Sequence, residues 1–269
     1  MSTTIVITGA SGGIGAAAAR ILSRHGHRVV IVGRDPARTR AVAGELGTDG
    51  FVADFARLDE VRRLADELLT AYPRIDVLAN NAGGVFGART LTGDGFEKTF
   101  QVNHLAPFLL TRLLWDRLAE SGASVIQTSS DGGRLLGRVD LDDLQSEKSY
   151  TPIRAYAAAK LENELFTTEL HRRGMHAVAF HPGTVASGFA GGSTGFVRRF
   201  YASRLGRAVM MTPEKSAEQL VWLAEGRPGV DWESGAYYEK RRPVRRRHRQ
   251  AGDPVLAREL WERSARMLE

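Results

Sequence analysis

The chain has 269 residues, 43% of them hydrophobic and 25% charged, a composition ordinary for a soluble globular protein. It contains no cysteine, which excludes disulfides and thiolate chemistry, and no apolar stretch approaches the roughly 18 residues of a membrane span. The formal net charge of +6 depends on seven Lys/Arg in residues 240–249, and without those seven charges it would be −1.

Short apolar runs alternate with amphipathic stretches along the whole sequence. The predicted strands are 3–8, 28–33, 50–54, 75–80, 124–129, 176–181 and 235–239. The predicted helices are 14–25, 36–46, 57–72, 96–120, 154–173, 213–225 and 254–268. Several strands are continuously apolar, as in strands covered on both faces. The alternation predicts a single α/β domain over 1–269, a Rossmann-type doubly wound parallel sheet of about seven strands with helices on both faces.

The first strand runs into TGASGGIG, residues 8–15, and then into a helix. Glycines here allow a sharp turn and let backbone N–H groups approach a pyrophosphate at the helix N-terminus. The position directly after the first strand, more than the spacing, indicates a dinucleotide site. The predicted phosphate-binding residues are Gly9, Ser11, Gly12, Gly13, Ile14 and Gly15.

The end of the second strand, VVIVGRD, bears on the choice between NAD and NADP. An acid at this point binds the ribose 2′-hydroxyl of NAD, whereas a 2′-phosphate is bound by arginine. Gly33 occupies the acid position and Arg34 follows it. Asp35 precedes Pro36 and is interpreted as a helix cap. The sequence therefore favours NADP(H), with NAD(H) as the alternative.

The segment AYAAAK places Tyr156 and Lys160 four residues apart, on the same face of a predicted helix. A buried aromatic beside a solvated lysine would also explain this pair. Together with NNAG at 80–83 and the serines in SVIQTSS, however, these motifs resemble the short-chain dehydrogenase/reductase family in order and along essentially the whole chain. The segments DLQSEKSYTPIRAYAAAKLENELFTTELHRRG and HPGTV resemble its retinol dehydrogenase-like branch.

The resemblance implies an oxidoreductase that interconverts an alcohol and a ketone or aldehyde, with four catalytic residues. Tyr156 is the implied general acid/base. Lys160 is implied to lower the pKa of the Tyr156 phenol and to hold the nicotinamide ribose. Ser130, with Ser129 as the alternative, binds the substrate oxygen. Asn103 kinks its helix and holds a water that relays protons to the lysine. The alternative function is a cofactor-binding regulator or scaffold with little turnover.

The resemblance also implies further cofactor contacts. Asp54 binds the adenine, the NNAG residues line the adenine ribose and brace the sheet, and the segment after the sixth strand grips the nicotinamide carboxamide. These last two groups are Asn80, Asn81, Ala82 and Gly83, and Pro182, Gly183, Val185 and Ser187. Animal retinol dehydrogenases of this branch carry a membrane anchor that this sequence lacks, so retinoid specificity is not implied.

Residues 188–212 interrupt the alternation and are predicted to form a substrate lid. Their apolar side chains either cover a bulky substrate or pack on the helix below. They are Phe189, Phe196, Phe200, Tyr201, Leu205, Met210 and Met211.

The basic run within 240–249 is predicted to be exposed over 241–249, because its cations repel each other and would be costly to bury without acids. A solvated surface, anionic lipid, nucleic acid and an acidic partner remain as its interpretations. Neutralising Arg245, Arg246 and Arg247 is predicted to leave hydride transfer unchanged. For the whole chain we expect an apolar small-molecule substrate, no nucleic acid, no metal and a homo-oligomer. Since the start has no basic n-region, we expect no signal peptide and a cytoplasmic location.

Overall fold

The computed structural model describes residues 2–183 and 211–269. Within these ranges eight strands form one sheet. The strands are β1 (Thr4–Thr8), β2 (Arg28–Gly33), β3 (Gly50–Val52), β4 (Val77–Asn80), β5 (Ser124–Thr128), β6 (His176–His181), β7 (Tyr237–Glu239) and β8 (Arg242–Pro243). Their order is β3-β2-β1-β4-β5-β6-β7-β8, and all neighbours are parallel except β7 and β8. The predicted doubly wound parallel sheet is confirmed, and the short antiparallel β8 is an addition.

Ten α-helices are found in the described residues. They are α1 (Gly13–Arg24), α2 (Pro36–Leu46), α3 (Leu58–Ala71), α4 (Lys98–Phe100), α5 (Ala106–Leu113), α6 (Trp115–Ser121), α7 (Asp131–Leu136), α8 (Pro152–Arg172), α9 (Pro213–Glu225) and α10 (Pro254–Arg266). Four of them begin with proline directly after a residue whose side chain accepts a backbone N–H of the first turn. This combination of cap and proline is a strong local start signal. The predicted helix 96–120 is instead α4, α5 and α6, with a π-helical turn at Gln101–Leu105 between α4 and α5.

Each central strand is apolar on both faces because helices cover both faces of the sheet. In β1, Val6 packs into a core with Leu64 of α3 and Phe166 of α8, whereas Ile5 and Ile7 pack with α1 and α9 on the other face. All three β1 residues have no exposed surface. Burial on both sides explains why these strands read as continuous apolar runs rather than alternating ones.

The strand order places the candidate site. Strand β1 lies between β2 and β4, so the connections leaving β1 and β4 diverge to opposite halves of the sheet. In doubly wound folds ligands bind in the crevice outside the carboxyl ends of the strands at this switch point. The loops that follow β1, β4, β5 and β6 therefore lie along one edge, and all four carry predicted site residues.

The basic run is only partly exposed. The side chain of Arg247 is 21% exposed, its Nη1 donates to the carbonyl of Gly235 at 3.0 Å, and its Nε lies 3.7 Å from Oε2 of Glu164. Arg245 and Arg246 are exposed. The prediction of exposure over 241–249 is therefore wrong for Arg247. The sequence run lacks an acid, but the fully buried Glu164 of α8 supplies one from another part of the fold.

In the described part of the chain, no helix combines the length and hydropathy that crossing a bilayer requires. The predicted lid lies outside the described residues except for Met211 and Thr212. The predicted cover residues Phe189, Phe196, Phe200, Tyr201, Leu205 and Met210 fall in the part that is not described.

Candidate active site

The turn after β1 approaches the loop after β4 so closely that only glycine fits. Gly9 has φ +68°, and a Cβ there would lie 2.8 Å from the Cα of Ala82. A Cβ at Gly15 would lie 2.7 Å from Nδ2 of Asn81. Gly12 caps α1 without a side chain and has nothing within 4 Å of its Cβ position. The N-terminus of α1 thus has open space at Gly12 and no side-chain cap, which fits a pyrophosphate.

The loop after β4 is tied to the end of β1. Nδ2 of Asn81 donates to the carbonyl of Thr8 at 2.8 Å, and the Thr8 hydroxyl accepts the N–H groups of Asn81 and Ala82, each at 3.0 Å. Asn80 points elsewhere: its Nδ2 donates to the hydroxyl of Thr111 in α5 at 3.0 Å. Asn81 and Ala82 therefore brace the glycine turn, and Asn80 anchors a helix.

The position where an NAD-binding acid would be expected has no room for a side chain. A Cβ on Gly33 would lie 2.7 Å from Cβ and 2.9 Å from Oγ of Ser11, and would also collide with the hydroxyl of Thr39. Contacts this short do not occur between real Cβ atoms and their neighbours. Ser11 belongs to the glycine turn, so this close contact joins the end of β2 to the predicted phosphate site.

Two arginines lie at this corner. The carboxylate of Asp35 accepts the backbone N–H of Arg38 at 3.0 Å, as expected for the cap of α2. This hydrogen bond is the main cause of the lowered pKa of Asp35, and the charges of Arg38 and Arg34 lower it further. Both arginines are exposed. Sequence reasoning missed Arg38, although its place one turn after the cap puts it at the same end of α2 as Arg34.

The remaining predicted cofactor residues lie on the same edge of the sheet. Oδ1 of Asp54 accepts the N–H of Ala56 at 3.0 Å, in the loop after β3. Gly183, after β6, has φ +88°, and a Cβ there would lie 2.5 Å from Sδ of Met211. Pro182 precedes it on this edge, and Val185 and Ser187 lie outside the described residues.

Lys160 is buried, so the interpretation of a solvated lysine beside an aromatic is wrong. Its side chain is 2% exposed, and Nζ donates to the carbonyl of Thr128 at 2.9 Å. Nζ also lies 5.5 Å from the ring centroid of the half-buried Tyr156. Burial lowers the pKa of Lys160 to about 7. Among the described residues no salt bridge to Lys160 is found, and burial is the cause of the lowered pKa.

The two candidate serines face different ways. Ser129 is 1% exposed and its hydroxyl donates to the carbonyl of Lys160 at 2.8 Å. The Oγ of Ser130 caps α7 and accepts the N–H of Gly132 at 3.1 Å, which leaves its own proton to donate. A Cβ on Gly132 would lie 3.4 Å from this Oγ and 3.9 Å from Cε1 of Tyr156. This proximity favours Ser130 as the serine that adjoins Tyr156.

Asn103 lies in the π-helical turn and is fully buried. Its Nδ2 donates to the carbonyls of Gly84 at 3.0 Å and Thr99 at 2.9 Å, and its Oδ1 accepts the N–H of Gly84 at 3.0 Å. A Cβ on Gly83 would lie 2.5 Å from this Oδ1 and 3.3 Å from Nζ of Lys160. The side chains of Asn103 and Lys160 therefore both lie next to Gly83.

The model of the family described as short chain dehydrogenase matches residues 3–194. The chain belongs to the short-chain dehydrogenase family. It is 46% identical over 276 residues to the "Putative daunorubicin C-13 ketoreductase DnrU" of Streptomyces sp. (strain C5), covering 97% of this chain and 91% of the relative. It is 37% identical over 299 residues to retinol dehydrogenase 14 of Mus musculus, covering 98% and 85%.

A similar solved structure is that of a short chain dehydrogenase from Shigella flexneri 2a (strain 301) complexed with NADP. Its TM-score with this chain is 0.65 at 26% identity, and the match covers 82% of this chain and 90% of the other. The predicted family and its retinol dehydrogenase-like branch are confirmed. The relatives are named dehydrogenases and ketoreductases. The protein is accordingly an oxidoreductase of alcohol and carbonyl groups from a family that binds NAD(P).

Proposed function

We propose that this short-chain dehydrogenase interconverts an alcohol and a ketone or aldehyde with NADP(H), using Tyr156 as the general acid/base. The observation that carries the proposal is the convergence of Ser130, Tyr156 and Lys160 beside the open glycine turn. One relative is named a ketoreductase and another a retinol dehydrogenase. Reduction of a ketone and oxidation of an alcohol are the two directions of one reaction. Turnover distinguishes this enzyme from a cofactor-binding regulator of the same fold.

Each residue has a distinct task in this proposal. Ser130 donates its free proton to the substrate oxygen, because its lone pair already accepts the N–H of Gly132. Tyr156 transfers the proton to or from that oxygen, and the ammonium of Lys160 favours the phenolate. Asn103 holds the loop at Gly84 beside Lys160 and binds the water of the proton relay. The bound NADP(H) supplies or accepts the hydride.

The cofactor would be held by the edge of the sheet described above. The N–H groups that begin α1 bind the pyrophosphate, and Asp54 binds the adenine. Pro182 and Gly183 bind the carboxamide end. Arg34, assisted by Arg38, binds the 2′-phosphate, and the filled space around Gly33 disfavours an NAD-specific acid. We further propose a homo-oligomer in the cytoplasm acting on an apolar substrate.

Arg34→Ala tests the cofactor preference. A charge-assisted contact to phosphate contributes about 1.5–3 kcal/mol, so the variant should bind NADPH about tenfold more weakly or worse, with little change for NADH. Fluorescence titration of both cofactors measures this. Arg40→Ala is the matched control, since Arg40 is an exposed arginine of α2, the helix that follows Arg34, and is expected to change neither affinity. Equal binding of NADH and NADPH by the wild type would contradict the preference.

Gly132→Ala tests whether this glycine keeps the space beside the reacting groups open. The added methyl would lie 3.4 Å from Oγ of Ser130 and 3.9 Å from Tyr156, ordinary contact distances that require no movement of the protein. We expect kcat/KM to fall by about tenfold for ketones with bulky substituents and by much less for small aldehydes, with unchanged thermal stability.

Gly133→Ala is the control for this experiment. A Cβ there would lie 2.9 Å from backbone atoms of Lys160 and Leu161, so it should push α7 away from α8 and lower the melting temperature. We expect Gly133→Ala to lower kcat/KM by the same factor for large and small substrates. The same loss on large and small substrates in Gly132→Ala would show that this glycine does not set the size of the substrate.

A further inference from the structure

We infer that His181 is a positioning residue, which fixes the Ser130 hydroxyl by holding the backbone N–H of Asp131. The inference rests on the proposed function, because it gives His181 its importance through the serine that binds the substrate oxygen. After β6, the roles implied by the family resemblance begin at Pro182 and do not include the side chain of His181.

The geometry connects the imidazole to the peptide that follows the serine. Nδ1 of His181 accepts the N–H of Asp131 at 3.3 Å, across 50 positions of sequence. Nε2 lies 3.6 Å from Oδ2 of the same residue. Asp131 is the first residue of α7, and Ser130 is its cap. The N–H that His181 binds therefore belongs to the peptide bond between Ser130 and Asp131.

This bond continues the pairing of β5 with β6 beyond the end of the strands. The last backbone bond between them runs from the N–H of Ser129 to the carbonyl of Phe180 at 2.8 Å. In a parallel ladder the next N–H to pair belongs to the residue two further on, which is Asp131. Pro182 follows His181, and the imidazole rather than a backbone carbonyl takes this N–H. The end of β6 therefore holds the backbone on both sides of Ser130.

The acceptor role defines the protonation state of the histidine. Nδ1 must be unprotonated to accept an N–H, so the single proton of the neutral ring lies on Nε2, toward the Asp131 carboxylate. A protonated ring would instead direct an N–H from Nδ1 against the N–H of Asp131. Oδ1 of Asp131 is already bonded to Nε of Arg134 at 3.1 Å, which holds this carboxylate in place.

The surroundings keep His181 neutral at ordinary pH. Its side chain is 10% exposed, and this burial is the main cause of its lowered pKa. Four charged groups face it: Asp131 and Glu239 raise the pKa, whereas Arg134 and Lys240 lower it. Acidification should therefore protonate His181 only below its usual range and should release the Ser130 peptide at that point.

The experiment compares His181→Asn with His181→Leu, with kcat and KM measured across the pH range in which the enzyme is active. Asparagine offers a carbonyl oxygen near the position of Nδ1 and cannot be protonated, whereas leucine fills the space without an acceptor. We expect His181→Leu to lose about tenfold or more in kcat at neutral pH, with NADPH affinity unchanged, and to differ less from the wild type in acid. His181→Asn should retain kcat at neutral pH and should decline less on acidification than the wild type, because it lacks the group whose protonation releases the Ser130 peptide.

His176→Asn, at the exposed start of the same strand, is the control and should behave like the wild type. The inference is overturned if the asparagine and leucine variants lose the same kcat, or if His181→Asn keeps the acid decline of the wild type. If the leucine variant does not fold, the pH profile of His181→Asn decides alone. An inactive Tyr156→Phe alongside either negative result would leave the proposed function intact and reject only the role of His181.

Discussion

Tyr156→Phe is expected to lose about 10²–10⁴-fold or more in turnover while binding NADPH almost as tightly as the wild type. The variant removes only the phenolic O–H, so the ring can keep its place 5.5 Å from Nζ of Lys160. The assay first needs a substrate, which a screen of ketones, aldehydes and secondary alcohols followed by nicotinamide absorbance would supply. Turnover close to wild type in this variant would refute the proposed acid/base.

Two further variants give this result its meaning. Tyr150→Phe is the matched control, because Tyr150 is another partly buried tyrosine whose Oη donates to the carbonyl of Gly87 at 3.0 Å. It should leave kcat nearly unchanged. Lys160→Ala should differ from Tyr156→Phe by weakening NADPH binding as well, since the proposal gives the lysine both the ribose contact and the effect on the phenol.

Arg247→Met is expected to lower the free energy of unfolding by about 2–4 kcal/mol. The reason is that Glu164, which has no exposed side-chain surface, would lose the cation that lies 3.7 Å away. Breaking a fully buried ion pair costs about 3–5 kcal/mol, and the partial exposure of Arg247 reduces this. Denaturant unfolding measures the loss. Arg246→Met is the control, because Arg246 is exposed in the same run and should cost less than about 0.5 kcal/mol.

The cost of Arg247→Met should depend on pH in a defined direction. Burial raises the pKa of Glu164 to about 7, and the charge of Arg247 opposes that rise. A raised folded-state pKa gives a contribution that is fully present below the unfolded-state value and is lost as pH rises through the folded-state value. Without Arg247 the folded-state pKa rises further. The deficit of the variant should therefore be small in acid, where Glu164 is protonated in both proteins, and largest above pH ~7. A deficit independent of pH would contradict this.

The same contact revises the prediction made for the basic run as a whole. Oε1 of Glu164 lies 3.4 Å from the hydroxyl of Ser129, which in turn donates to the carbonyl of Lys160. Arg247 is therefore connected to α8, the helix that carries the proposed catalytic lysine. The prediction that neutralisation leaves hydride transfer unchanged is retained for Arg245 and Arg246 and withdrawn for Arg247.

Elements with local signals could be predicted from the sequence. The central strands are continuously apolar, and α2, α8, α9 and α10 carry a cap followed by proline, so their starts lie close to the predicted ones. The region 96–120 could not be predicted in this way. Asn103 lies in its π-helical turn and forms hydrogen bonds with Gly84, which belongs to a loop outside the helix. A local sequence pattern does not reveal such a contact.

In the candidate site, too, some residues carry a local sequence signal and others do not. The glycine turn, Tyr156 and Lys160 carry local motifs, and the structure places them on one edge of the sheet. The contact of His181 with Asp131 and the contact of Arg247 with Glu164 join segments that are far apart in sequence. The spacing of the residues contains no trace of such contacts, and only the folded chain reveals them.

The edge strand β8 has a consequence for how copies of this protein can associate. Open sheet edges join readily to one another, and proline and charged residues at an edge prevent it. Here Pro243 has no N–H to offer, and Arg242 and Arg245 beside it are exposed. Two identical molecules meeting through this edge would bring like charges together. A continuous sheet shared across the β8 edges of two molecules is therefore disfavoured.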